Sequence, residues 1–210
     1  MHRPDLPIIE AFLNMSTNPR NRAGHDQPCL DDMIQRHGSV IGLAAFSGSG
    51  KTTLAEKLIA GLVSRGMDVA TVKHAHHAFD ADTPGKDSYR HRAAGARQVA
   101  VSSPARSVLF TENLLGPERS LADLLAAITP ADIVIVEGFK KSSIPKIEIH
   151  RAELAHPYLF SDDPLIIAIA SNDPASLPAD APFSMDLDQP DSIVDFIIQR
   201  HHQQSDAAAS

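Results

Sequence analysis

The stretch FSGSGKTT, residues 46–53, constrains the fold more than any other part of this chain. It follows a short apolar run, VIGLAAF at residues 40–46, and precedes a segment in which Leu54, Leu58 and Leu62 recur every four residues. The first pattern predicts a strand, and the second predicts an amphipathic helix. A glycine-rich turn between a strand and a helix presents N–H groups to a phosphate, and the helix dipole strengthens the attraction. The segment therefore predicts a phosphate-binding loop.

Apolar runs alternate with amphipathic stretches over the rest of the chain. The runs that predict further strands are residues 67–73, 97–103, 106–112, 132–139, 145–151 and 164–171. The second and third of these runs flank a Ser-Pro turn and predict a hairpin. Helices are predicted over residues 121–128 and from Pro190 onwards. Strands that alternate with helices, several of them apolar throughout, predict an α/β fold with a largely parallel central sheet and helices on both faces.

The glycine-rich stretch matches the Walker A pattern, G-x-x-x-x-G-K-[ST], over residues 45–52, which we call the Walker loop. Ala45 stands where the pattern has its first glycine. Lys51 is expected to reach the β- and γ-phosphates of a nucleotide, and the Thr52 hydroxyl is expected to bind Mg²⁺. The residues predicted to bind the nucleotide in this region are Ser47, Gly48, Ser49, Gly50, Lys51, Thr52 and Thr53.

The chain length of 210 residues is that of one ordinary domain with extensions. We expect an N-terminal extension over residues 1–38, a P-loop nucleotide-binding domain over residues 39–200 and a flexible tail over residues 201–210. Neither end carries a sustained apolar period, which is why both are placed outside the domain.

Charge and cysteine content exclude several classes of protein. The net charge of -7 argues against nucleic acid or an anionic membrane as a general partner, because both repel an acidic surface. The single cysteine, Cys29, excludes an internal disulfide and is typical of a reducing compartment, so we expect a cytoplasmic protein. No run approaches the roughly 18 apolar residues of a membrane span, and residues 1–16 lack the continuous apolar region of a secretory signal.

A second metal ligand is expected at the end of another core strand. The run DIVIVEGFK, residues 132–140, offers Asp132 at its start and Glu137 at its end. Ligands of open α/β sheets collect at the carboxyl ends of the strands, so Glu137 is the preferred candidate for Mg²⁺. The alternative is that Glu137 only ends the strand and pairs with Lys140.

The segment KHAHHAFDADTPGKDSYRHRAAGA, residues 73–96, narrows the family. It concentrates potential metal ligands and phosphate binders in a stretch predicted to be a functional loop. This segment, together with SGSGKTTL, DIVIVEGFK and PKIEIHR in the same order, resembles the molybdopterin-guanine dinucleotide biosynthesis protein B (MobB) family. The resemblance covers roughly residues 39–171 of the sequence.

The resemblance implies a dimeric P-loop protein that binds GTP and Mg²⁺. Its implied role is to assist a guanylyltransferase, MobA, which attaches GMP to molybdopterin, so molybdopterin or its guanine dinucleotide is an expected ligand. We expect slow GTP hydrolysis at most, because the sequence shows neither an arginine finger nor a water-positioning glutamine near the Walker loop. The main role is therefore expected to be delivery of nucleotide.

The resemblance places Asp80, Asp82, Asp87 and Arg90 in the signature segment of the family, and the roles of the charged residues in this segment are inferred from their chemistry. Asp80 and Asp82 are expected to hold Mg²⁺ through water or to orient an attacking water, which makes them catalytic candidates together with Glu137. The residues expected to bind the pterin phosphate or a triphosphate are Lys86, Arg90 and Arg92. A solvated helix face paired with Asp87 is the alternative for the two arginines.

The N-K-x-D motif, which usually recognises the guanine base, does not occur in this sequence. Asn172 and Asp173 follow an apolar strand, and a carboxylate at Asp173 is able to accept two hydrogen bonds from the Watson–Crick edge of guanine. The alternative is an Asx-type turn before Pro174.

Two other functions stay open from the sequence. A GTPase metallochaperone would hold nickel or zinc with His74, His76, His77 and Asp80, because imidazole and carboxylate suit these metals. A small-molecule P-loop kinase would use the same phosphate loop with residues 73–92 as an arginine-bearing lid. Metal retention on purification and substrate-dependent ADP formation, respectively, distinguish these functions.

Overall fold

The computed structural model describes residues 28–75, 79–113 and 117–208. These residues form two compact units. The sheet unit contains residues 28–75 and 120–208, and the hairpin unit contains residues 79–113 and 117–119. Within the described part of the chain, no helix has the length and apolar character needed to cross a membrane.

The sheet unit carries six strands and four helices. In chain order its elements are α1 (Leu30–Arg36), β1 (Ser39–Ala44), α2 (Lys51–Ser64), β2 (Val69–Lys73), α4 (Leu121–Ala127), β5 (Ile133–Glu137), β6 (Lys146–His150), β7 (Ile166–Ser171), β8 (Phe183–Asp186) and α5 (Pro190–Ala208). The hairpin unit contributes α3 (Asp87–Ala93), β3 (Gln98–Ser102) and β4 (Ser107–Thr111).

The central sheet has the strand order β2-β5-β1-β6-β7-β8, and all its neighbouring strands run parallel. β1 lies inside the sheet, in register with β5 on one side and with β6 on the other. Its six residues are all buried, as expected for a strand covered on both faces. The predicted α/β fold is confirmed, and the carboxyl ends of the strands share one edge of the sheet.

Alternating side chains of the strands supply two separate cores. On one face, α2 and α5 pack through fully buried residues such as Leu58 and Ile193 against Ile133 and Ile147 of the sheet. On the other face, α1 and α4 cover Val40 and the strand residues around it. Helices therefore lie on both faces, and residues on either side of the Walker loop, Leu43 and Leu54, belong to the first of these cores.

Strand β6 carries polar side chains on the face where the following segment, residues 151–165, packs. Lys146 forms an ion pair with Asp163 at 3.0 Å, and both Glu148 oxygens accept backbone N–H groups at 2.8 and 2.9 Å. His150 contacts the carbonyl of His156 at 3.3 Å. The three β6 side chains are 1 to 6% exposed, so residues 151–165 are attached to the sheet through buried polar contacts.

The hairpin unit confirms the predicted hairpin. β3 and β4 pair antiparallel, with Val99 opposite Phe110 and Val101 opposite Val108. A two-stranded ribbon is marginally stable alone, and α3 packs against β3. The Arg92 guanidinium lies over the Phe110 ring at 5.1 Å.

Four elements differ from the sequence prediction. Helix α1 forms inside the predicted extension, and helix α5 continues to Ala208 where residues 201–210 were expected to be a flexible tail. Residues 87–93, expected in a loop, form helix α3, and the short edge strand β8 was not predicted. The remainder of the predicted extension, residues 1–27, lies outside the described residues.

Candidate nucleotide-binding site

The Walker loop joins the end of β1 to the start of α2. Gly48 and Gly50 adopt φ angles of 83° and 82°, a left-handed conformation that favours glycine. The first bond of α2 joins the Leu54 N–H to the Gly50 carbonyl at 3.0 Å. The N–H groups of residues 51–53 therefore have no helical acceptor and are available to an anion at the positive end of the helix dipole.

Lys51 stands at the first position of α2, half-buried among charged groups. Burial lowers the pKa of Lys51, the Glu137 carboxylate opposes that change, and Lys140 and Lys73 lower the pKa further. Lys51 therefore interacts with two other lysines and one carboxylate in this part of the site. A bound phosphate would relieve their repulsion and favour the charged form of Lys51.

Glu137 ends β5 at the same edge of the sheet. Its Oε2 atom is buried without a hydrogen-bond partner, and the Lys73 Nζ atom lies 3.8 Å away. Thr52, in the first turn of α2, has an exposed side chain. A carboxylate and a hydroxyl oxygen suit Mg²⁺, and an unsatisfied buried oxygen fits a role in holding it. The residues present therefore fit the metal that the sequence predicts, which would neutralise phosphate charge when bound.

Arg151 is a site residue that sequence reasoning missed. Its Nε atom donates to the Ser49 carbonyl at 3.3 Å, and its Nη2 atom is 3.5 Å from the place where a Cβ on Gly50 would stand. Glu153 lies 3.6 Å from Nη1. The signal was in the sequence, since an arginine directly after a buried strand lies at the edge where ligands of parallel sheets bind.

The residues after β7 form hydrogen bonds with the segment that follows Arg151. The Asn172 Oδ1 atom accepts the Ala152 N–H at 3.0 Å, and its Nδ2 atom donates to Glu153 at 2.7 Å. Asp173 precedes a short 3-10 turn, its N–H donates to the Ser171 hydroxyl at 3.1 Å, and its side chain is partly exposed. Asn172 thus has a structural role. Recognition of the guanine base by the Asp173 carboxylate stays a prediction.

Aromatic and cationic side chains extend the site. The rings of Phe46 and His156 stack at 4.6 Å, which joins the Walker loop to the segment after β6. The Lys140 Nζ atom lies 5.6 Å from the centre of the Phe46 ring. Sequence reasoning treated Lys140 only as a partner of Glu137, because the contact depends on how the two loops meet.

The hairpin unit holds the other predicted site residues. Arg92 binds Asp80 at 2.8 Å, Asp82 at 3.1 Å and Glu112 at 2.6 Å. The hydrogen bond from Arg92 is the main cause that lowers the pKa of Asp80. At Asp82, burial opposes a lowered pKa, but hydrogen bonds from Ser88, from the backbone and from Arg92 outweigh it.

Lys86 and Arg90 are exposed on and before helix α3. Arg90 lies 3.8 Å from Asp87, which is the helix-face pairing that the sequence left open as an alternative. Arg92, in contrast, is engaged by three carboxylates. The catalytic roles of Asp80 and Asp82, and ligand binding by Lys86, Arg90 and Arg92, stay predictions.

The described histidines show no metal centre. Within residues 28–75, 79–113 and 117–208, no group of three His, Cys, Asp or Glu side chains is placed to hold a metal ion. His76 and His77 of the proposed metallochaperone cluster lie outside the described residues. His74 packs against Phe139, with ring centres 5.1 Å apart.

A parallel α/β sheet with a Walker loop at its carboxyl edge defines a P-loop nucleotide-binding protein. The sequence model of the family MobB, molybdopterin guanine dinucleotide synthesis protein B, matches residues 40–172. This chain therefore belongs to the MobB family.

Curated relatives and solved structures agree with this assignment. The molybdopterin-guanine dinucleotide biosynthesis adapter protein of Haemophilus influenzae is 40% identical over 161 residues, which are 75% of this chain and 86% of that protein. The adapter protein of the same description from Escherichia coli is 38% identical over 169 residues, or 79% and 95% of the two chains. A MobB homologue from Bacillus stearothermophilus has a TM-score of 0.57 and 27% identity, covering 78% of this chain and 98% of that one.

Proposed function

We propose that this protein is a GTP-binding adapter in molybdopterin guanine dinucleotide biosynthesis. Membership of the MobB family and two adapter relatives, each covered over more than four-fifths of its length, support this role. In this proposal a MobA-like guanylyltransferase attaches GMP to molybdopterin, and the present chain assists it as a cytoplasmic homodimer. The adapter binds nucleotide and either molybdopterin or its guanine dinucleotide.

The phosphate-binding geometry of the Walker loop is the observation that best supports nucleotide binding. Free N–H groups at the start of α2, the Lys51 ammonium and the unsatisfied Glu137 oxygen all lie at the carboxyl edge of one sheet. Thr52 and Glu137 would hold Mg²⁺, and Asp173 would read guanine.

The proposed role is nucleotide delivery with at most slow hydrolysis. Arg151 reaches the Walker loop, but its guanidinium already binds the Ser49 carbonyl and pairs with Glu153. P-loop GTPases without a free arginine finger and a water-positioning glutamine hydrolyse GTP slowly. Nothing in the described residues favours the metallochaperone or the kinase over this role.

Calorimetric titration of GTP and ATP with Mg²⁺ tests the proposal. The wild-type protein is expected to prefer GTP, and Lys51→Ala is expected to lose about tenfold or more of the affinity, because a charge-assisted contact to phosphate is removed. Lys57→Ala is the matched control, since Lys57 is an exposed lysine on the same helix. A preference for ATP, or binding that does not depend on Lys51, would contradict the proposal.

A further inference from the structure

A pocket of about 440 Å³ opens in the sheet unit, and the Nζ atom of one of its lining residues, Lys140, lies 5.6 Å from the centre of the Phe46 ring in the Walker loop. Its lining residues come after two neighbouring strands, β2 and β5, and are His74, Gly138, Phe139, Lys140, Lys141 and Ser142. We propose that this pocket binds a second ligand alongside the nucleotide, a planar heteroaromatic ring that carries a phosphate. The inference rests on the proposed function, because it takes the Walker loop as the nucleotide site.

Positive charge at the pocket favours a phosphate. Lys140 and Lys141 are exposed on its rim, and Lys140 is close enough to Lys51 to lower the pKa of that lysine. The Glu137 carboxylate, which lies 3.8 Å from Lys73, offsets only part of this charge. Clustered lysines attract phosphate groups even in a protein whose overall charge is negative.

The wall of the pocket favours a flat ring. His74 and Phe139 contribute two aromatic rings whose planes are tilted by 48°. The His74 N–H donates to the Glu137 carbonyl at 2.8 Å, so the loops after β2 and β5 are tied together. Gly138 is required for this close approach, since it has a φ angle of 103° and an added Cβ would stand 2.5 Å from the His74 Cβ.

Strand order keeps the pocket away from the proposed base reader. The Walker loop follows β1, the pocket lies after β5 and β2 on one side, and Asp173 follows β7 on the other side. A nucleotide whose base lies toward Asp173 and whose phosphates lie in the Walker loop leaves the pocket open. The pocket volume falls within the range of about 300–1,000 Å³ that is typical of ligand pockets. It is larger than one Mg²⁺ ion needs.

This site differs from the segment that the sequence favoured for a pterin phosphate. Arg92 of that segment is engaged by Asp80, Asp82 and Glu112. Lys140 and Lys141, in contrast, are exposed side chains that line the pocket, and the Lys140 Nζ atom lies 5.6 Å from the centre of the Phe46 ring in the Walker loop. A ligand held there would have its phosphate near the Walker loop, so one chain would hold the nucleotide and the second ligand together.

Fluorescence titration with neopterin monophosphate tests the pocket, using protein saturated with a non-hydrolysable GTP analogue and Mg²⁺. Saturable binding is expected, and Lys141→Ala is expected to weaken it about tenfold through the lost contact to phosphate. The same variant is titrated with the GTP analogue, for which a smaller loss is expected. Lys57→Ala is the matched control because it removes one exposed lysine far from the pocket lining.

Two further arms identify the ligand and separate the possible failures. Neopterin without phosphate is expected to bind weakly, and competition by GMP would show that the pocket takes a second purine nucleotide rather than a pterin. If the GTP analogue binds but neopterin monophosphate and GMP do not, or if Lys141→Ala leaves their binding unchanged, the pocket inference is wrong while the proposed function stands. If the GTP analogue itself does not bind, the proposed function fails first.

Discussion

Arg151 shows at the scale of one residue how a side chain outside the Walker motif contributes to the site. It reaches the Ser49 carbonyl from the end of β6, and Glu153 and Asn172 hold its surroundings in place. Ser49 is itself buried. These contacts order the loop before a nucleotide arrives, which lowers the conformational cost of binding.

Arg151→Ala is expected to lower the affinity for GTP with Mg²⁺ by about tenfold, because the loop loses a charge-assisted contact and the site loses one positive charge. Calorimetry measures the effect. Arg65→Ala is the matched control, since both arginine side chains are 32% exposed and Arg65 lies at the opposite end of α2, paired with Asp191. Equal GTP affinity for wild type and Arg151→Ala would show that the loop does not depend on this contact.

At the scale of the element, strand β6 attaches the segment that carries Arg151. Glu148 is 1% exposed, and its two oxygens accept the N–H groups of Leu159 and Phe160. Burial raises the pKa of Glu148, and the two backbone hydrogen bonds oppose this change. The raised pKa means that the folded protein binds more protons than the unfolded chain over a window above pH 4.5. The contribution of Glu148 to the stability of the wild type therefore falls as the pH rises through that window.

Glu148→Gln is expected to destabilise the protein by about 1–3 kcal/mol, because one amide oxygen replaces two acceptors and one backbone N–H stays unpaired. The variant has no titrating group here, so its difference from wild type is expected to be largest near pH 4.5 and smaller at pH 7. Urea unfolding across this range measures both effects. Glu56→Gln, an exposed substitution on α2, is the control. Parallel pH profiles for wild type and Glu148→Gln would contradict the expected linkage.

The elements also show where sequence reasoning works. Helix α2 and the central strands have strong apolar periods, so their existence and type were predictable. Helix α3 was not, because its seven residues include no buried side chain and its stability comes from the contacts that Arg92 makes outside the helix. Strand β8 is short and half exposed at the edge of the sheet.

The same distinction holds for the site. The Walker loop is a local motif, and its conformation follows from glycines at fixed spacing. Arg151 and Lys140 join it only because β6 and β5 flank β1, an order that no single stretch of sequence specifies. Asp80 and Asp82 have the chemistry of metal ligands, but an arginine twelve and ten residues later pairs with both.

In the central sheet, the residues proposed to bind nucleotide lie at one edge, where the strands end, and the contacts with the end of α5 lie at the opposite edge, where the strands begin. All six strands end at the edge that carries the Walker loop, Glu137 and Arg151. The end of α5 packs at the opposite edge, where the Ser39 hydroxyl donates to Gln204 and His201 lies against Gly38. Strand β1 has six residues, so about 20 Å separate the two edges.

Truncation after Arg200 tests this separation, because it removes the part of α5 that the sequence assigned to a flexible tail. The expected loss of stability is about 1–2 kcal/mol, from the hydrogen bond to Ser39 and the half-buried His201. GTP affinity is expected to stay within about threefold of wild type, because the removed residues lie at the far edge of the sheet. Urea unfolding and calorimetry on the same protein measure the two quantities.

A shorter truncation after Ser205 is the matched control, since it keeps both His201 and Gln204 and is expected to unfold like the wild type. If both truncations leave stability unchanged, the last turns of α5 contribute nothing and the tail predicted from sequence is the better description. If truncation after Arg200 weakens GTP binding in proportion to stability, the two edges of the sheet are coupled. A loss of stability without a loss of affinity is the result that a rigid parallel sheet implies, because its strands hold the Walker loop independently of the contacts at their starting ends.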